Sequence, residues 1–198
     1  MTLRRSFNIL LATFSIILII LILTQIDQTW DTLSDIQRHQ PLFVYLWIVI
    51  ISLSNYFNLD YLAKQTNVYH RNVRYLIMIA SVASILIEFT MASGVFMIVM
   101  HWIFAIIFGT ISFVLLLYFI YKHRLSHPFL SIVFWLLIVL GVLNLLSIPY
   151  FGYMPGYMEA VSIIMCKVAY ILMSAIKIEE SQLVIDSGPM SVLEEDMS

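Results

Sequence analysis

The sequence predicts an all-α fold: a polytopic membrane protein built as a six-transmembrane-helix bundle, both termini cytoplasmic. Three observations predict it. Of the 198 residues 62% are hydrophobic and 11% charged, with a mean hydropathy of +0.96, whereas a soluble domain carries about 25% charged residues. Apolar stretches long enough to cross a bilayer recur six times along the chain. Lysine and arginine collect in every second connection, the pattern that the positive-inside rule turns into an orientation.

The first span covers about 7–25, behind Arg4 and Arg5. Its flanks resemble a signal peptide, but the apolar run from Phe7 to Leu23 is too long for one. It ends at Thr24-Gln25-Ile26 without a small-x-small cleavage site, so it reads as an uncleaved helix. The outer loop 26–41 sets Asp27, Asp31 and Asp35 four apart, on one face of any helix formed there. We read this as a solvated amphipathic turn resting Trp30, Leu33 and Ile36 on the interface, rather than as a cation-attracting rim.

The second span, about 42–59, follows Pro41, a residue that costs nothing at a helix start. Spans three and four, about 75–93 and 96–120, form one long apolar run that Ala92-Ser93-Gly94 breaks into a tight hairpin. Pro128 introduces the fifth span, about 129–147. The loop 147–158 then holds Pro149, Gly152, Pro155 and Gly156 among aromatic anchors. The sixth span is about 159–177. These spans make a single transmembrane domain, 1–178, and the acidic stretch 179–198 reads as a disordered cytoplasmic tail.

Arg4, Arg5, Lys64, Arg71, Arg74, Lys122, Arg124 and Lys177 fall on one side of this arrangement and only Arg38 on the other. The basic side is therefore assigned to the cytoplasm, in a cell (plasma) membrane location. With a net charge of −2 and no phosphate-binding cluster, nucleic-acid partners are excluded.

Glu88 and Lys167 each interrupt an apolar span, and charge at that depth survives where it faces a bundle interior, usually beside a partner. Counted from the expected outer face, Glu88 and His101 lie roughly 8 Å deep and Lys167 roughly 12 Å. Near-matching depths make an intramembrane cluster of Glu88, His101 and Lys167, with Ser84 and Tyr170 on the same stripes. One reading is an interhelical Glu88–Lys167 ion pair; the other is proton or cation exchange at Glu88 and His101. Asn55, Asn58, Asn144, Ser81 and Ser174 are candidates for interhelical hydrogen bonds. Ala105-x-x-x-Gly109 is a small-x-x-x-small contact on the fourth span.

Catalytic motifs are missing: neither H-E-x-x-H nor a phosphate-binding glycine loop occurs. Cys166 sits in an apolar setting that keeps a thiol inert, and His123-x-x-x-His127 lacks a nearby acid for metal binding. No catalytic residue, metal or cofactor is expected. The leading functional expectation is an accessory, assembly or immunity-type component, not an enzyme. Its partners would be the lipid bilayer and another membrane protein or a second copy of itself. The alternative is a small proton- or cation-coupled transporter using the Glu/His/Lys cluster.

Overall fold

Helices supply all the regular secondary structure in the computed structural model, which describes residues 3–24, 41–89, 95–125, 127–151 and 156–176, the side chains at 41–44, 88, 89, 95 and 151 excepted. In chain order these are α1 (Leu3–Leu23), α2 (Pro41–Gln65), α3 (Arg71–Phe89), α4 (Val95–His123), α5 (Pro128–Phe151) and α6 (Gly156–Ala175). Five of them, all but α3, are long and apolar enough to cross a membrane. Asp27, Asp31, Asp35, Ala92-Ser93-Gly94, Gly152, Pro155, Lys177 and the 179–198 tail lie outside the described residues.

The helices differ from the expected spans mainly at their polar ends. The second helix continues to Gln65, not 59, because Lys64 pairs with Asp60 four residues back at 3.0 Å and supports the extra turn. It stops at a Schellman turn. Asn67 takes a positive φ of 56°, and Val68 N–H donates to the Ala63 carbonyl at 3.0 Å. The first helix begins at Leu3, not 7, with Arg4 paired to Asp60 across the bundle. The fifth runs to Phe151 with Pro149 inside its last turn, where few backbone bonds are at stake.

Each helix packs on its chain neighbour, and α6 closes the ring on α1. Inside that ring α2, α4 and α6 touch one another, so α1, α3 and α5 fill the three outer grooves. At one end meet the start of α1 and the ends of α2, α4 and α6. Lys122 Nζ donates to the Thr66 carbonyl at 2.7 Å, Gln65 Nε2 to the Ile176 carbonyl at 3.2 Å, and Arg5 to the Ala175 carbonyl. These donors satisfy the orphan carbonyls that every helix leaves at its C-terminus. We call this the basic end.

Two apolar clusters form the core. Toward the basic end, Leu59, Leu62, Ile77, Leu116, Phe119, Leu130, Leu137 and Met173 pack together; toward the other end, Leu18, Ile19, Ile22, Trp47, Ile48 and Ala160 do so. In lipid such packing works through close contact rather than water release. Gly141 on α5 shows how close: a Cβ there would meet the Phe113 ring of α4 at 2.9 Å. Gly141→Val is expected to lower stability by about 1–3 kcal/mol, read as a lower unfolding midpoint in mild detergent.

Candidate functional site

Between the two apolar clusters lies a layer of buried polar groups centred on Lys167 of α6, which is 2% exposed. Its Nζ donates to Ser54 Oγ of α2 at 3.1 Å and, at 3.5 Å, to the Ile51 carbonyl. One turn along its own helix, the Tyr170 ring lies 5.3 Å from Nζ, within cation–π range. Among the described residues Lys167 meets no carboxylate.

Helical periodicity explains the grouping. Lys167, Tyr170 and Ser174 recur at i, i+3 and i+7 and so share one face of α6; Ser54, Asn55 and Asn58 do so within one turn of α2. From this face Tyr170 Oη donates to Asn55 Oδ1 at 2.7 Å, and Asn55 Nδ2 donates to Ser112 Oγ of α4 at 2.9 Å. One asparagine thus ties the three inner helices together. Deeper toward the basic end, Asn58 Nδ2 lies 2.7 Å from the Ser54 carbonyl, 3.3 Å from Ser54 Oγ and 3.4 Å from the Asn8 carbonyl of α1.

The residues singled out from sequence divide into those the structure gathers and those it separates. Lys167, Tyr170 and Asn55 share the central layer. Ser84 donates to Ser52 Oγ at 2.8 Å, a separate clamp between α3 and α2. Asn144 donates to Ser162 and joins α5 to α6. Ser81 bonds its own helix instead, at the Ile77 carbonyl, and the Ser174 hydroxyl has no hydrogen-bond partner among the described residues.

His101 Nδ1 lies 3.2 Å from the Ile87 carbonyl, across the α3–α4 pair. Eleven residues separate His101 from Ser112 and three separate Lys167 from Tyr170, in the same direction. His101 therefore stands roughly 12 Å farther along the bundle than Lys167. The matching depths expected from sequence do not extend to this pair, because helix ends are not level across the bundle. Glu88 is in α3 next to Ile87, and its side chain lies outside the described residues.

Sequence reasoning missed Asn8, Ser52 and Ser54. The signal for Asn8 was present: Asn8, Ala12 and Ser15 repeat at i, i+4 and i+7 in an otherwise bulky apolar helix, and all three are buried. The layer as a whole can do two things chemically. It can hold helices in register, and it can hold a positive charge away from water. Comparison with protein-family models, with curated proteins and with solved structures finds no match to this chain.

Proposed function

We propose that this chain is a six-span integral protein of the cell membrane, with its basic end and both termini in the cytoplasm. In this reading it acts without catalysis, as an accessory, assembly or immunity-type component that binds another membrane protein. Arg4, Arg5, Lys64, Arg71, Arg74, Lys122 and Arg124 at one end of the helices support the orientation. The observation that carries the functional reading is on α4. Gly109 faces outward with no atom within 4 Å of where its Cβ would stand, one turn from Ala105, and Thr110 beside it is also exposed. Small residues in a lipid-facing helix let a second backbone approach closely, and a lipid tail gains nothing from them.

Gly109→Leu is the test. The open space predicts no loss of stability, since a Cβ there meets nothing within 4 Å and glycine is the poorer helix former by about 1 kcal/mol. Affinity purification from gently solubilised membranes should recover a stoichiometric membrane partner with the native chain and lose it with the variant. Recovery of no partner by the native chain, or equal recovery by both, would overturn the reading.

A second reading is favoured by the Lys167 layer: a small proton- or cation-coupled transporter, since a charge held at mid-bundle is a functional site by default. Purified protein in liposomes should then move an ion or solute that Lys167→Met fails to move.

A further inference from the structure

The cations of the basic end differ in how far they are already engaged. Arg4 and Lys64 share Asp60, Arg5 reaches the Ala175 carbonyl and Lys122 the Thr66 carbonyl. Arg124 lies over the Tyr121 and Phe134 rings, at 4.2 and 5.2 Å. On α3 the exposed Arg71 donates from its Nε to Tyr75 Oη at 3.2 Å and rests on that ring at 5.4 Å. Its two terminal nitrogens have no partner among the described residues. The guanidinium of Arg74, also exposed, has no hydrogen bond, ion pair or ring contact among the described residues. No acidic residue occurs between Asp60 and Glu88, so neither arginine has a carboxylate within its own stretch of chain.

The same outward face of α3 continues as an apolar strip. Arg71, Tyr75, Met78, Val82 and Ile85 recur at spacings of four and three, so they line one side of the helix. All five are exposed, whereas Val73, Ile77, Ala80 and Ala83 are buried on the side that packs against α2 and α4. From Tyr75 to Ile85 the strip is about 15 Å long, which is the depth of one leaflet's hydrocarbon. Arg71 and Arg74, three residues apart, have Cβ atoms about 5–6 Å from each other. That separation lets both guanidinium groups grip one phosphate. Two arginines, then a tyrosine, then an apolar strip match a phospholipid's phosphate, interfacial region and acyl chain in order. A soluble phosphate would gain nothing from the strip, and a zwitterionic headgroup would set its own ammonium against the arginines.

We propose that this face of α3 binds an anionic phospholipid, its phosphate between Arg71 and Arg74 and an acyl chain along Tyr75, Met78, Val82 and Ile85. Parallel N–H···O bonds from a guanidinium fix the headgroup's position as well as its charge. The Tyr75 contact holds the Arg71 guanidinium in place before the lipid arrives. α3 is the helix that falls outside the long, apolar set, and a headgroup that pairs its two arginines strengthens its seat at the membrane surface. The inference rests on the helices standing in a bilayer and does not need the partner-protein reading. Its readout is lipid retention rather than partner recovery, so the two fail separately.

The test uses the native full chain in mild detergent, offered phosphatidylglycerol or phosphatidylcholine with identical acyl chains, and counts the retained lipid by native mass spectrometry. Attraction of an anionic lipid to one surface arginine is worth about fivefold in affinity. The native chain should therefore hold phosphatidylglycerol about 25-fold more tightly than phosphatidylcholine. Arg74→Gln should cut that preference about fivefold, and Arg71→Gln together with Arg74→Gln should abolish it. Arg124→Gln, which removes a cation at the α4 end, should leave it unchanged. Equal retention of the two lipids by the native chain would overturn the proposal, and that comparison needs no variant to fold. A preference that Arg124→Gln lowers as much as Arg74→Gln would also overturn it, because the whole basic end would then attract lipid without a site. Glycerol phosphate, which has the headgroup's phosphate and no acyl chain, should fail to displace the bound lipid. Displacement at matched concentration would make this a soluble-phosphate site and overturn the lipid assignment.

Discussion

Lys167→Met should yield a protein that is more stable by about 1–2 kcal/mol, not less. The reasoning turns on what the ammonium loses and regains. Moving it out of water costs several kcal/mol. In return it gains one good and one long hydrogen bond to neutral groups, Ser54 Oγ at 3.1 Å and the Ile51 carbonyl at 3.5 Å. The Tyr170 ring at 5.3 Å adds a cation–π contact of about 2 kcal/mol at most generous. Methionine keeps the stem's volume and abolishes the charge. It strands little, because Ser54 Oγ still has Asn58 Nδ2 at 3.3 Å. Unfolding in mild detergent, followed by helix content, reads the difference. A loss above about 2 kcal/mol that Glu88→Gln relieves would put a carboxylate on Lys167 and make the pair an interhelical clamp.

The second large effect is expected at Asn55. Asn55→Leu removes one acceptor and one donor at once, leaving the Tyr170 and Ser112 hydroxyls buried beside an apolar side chain. Interhelical hydrogen bonds in membranes average about 0.6 kcal/mol and reach about 1.7. Two such bonds together with two stranded hydroxyls predict a loss of about 2–4 kcal/mol. Tyr170→Phe alone should cost less, about 1 kcal/mol, since Asn55 keeps Ser112. In the double mutant the losses should fall short of additivity by about 1 kcal/mol. Strict additivity would mean that Asn55 and Tyr170 do not work as a unit.

These two positions differ in how far the sequence foretells them. That Lys167 and Asn55 face an interior follows from composition alone, because an ammonium or an amide at that depth cannot face lipid. Their partners do not follow. Ser81 and Ser84 sit three residues apart on one stripe of α3, yet Ser81 reaches only its own Ile77 carbonyl, whereas Ser84 Oγ lies 2.8 Å both from the Ser81 carbonyl of its own helix and from Ser52 Oγ of α2. A serine in a helix can satisfy itself locally, so only the position of the facing helix decides whether it also gains a partner across the interface. Asn8, Ala12 and Ser15 mark an inward face of α1 by their spacing, but that α2 and α6 are the helices packed against α1 is set only by the tertiary structure.

The sequence by itself determined the helical class, the apolar stretches, the prolines at two helix starts and the one-sided distribution of arginine and lysine. All of these are properties of a segment and its solvent, so they need no neighbours. Only the tertiary structure decided that α2, α4 and α6 form the inner triangle. It also decided that Lys167 bonds Ser54, and that His101 stands a dozen ångströms away along the axis, on the α3–α4 pair. Those outcomes depend on the rotation of each helix and its offset along its neighbours. A shift of one residue turns a side chain by about 100°, and nothing local in an apolar helix opposes that shift until the others are packed against it.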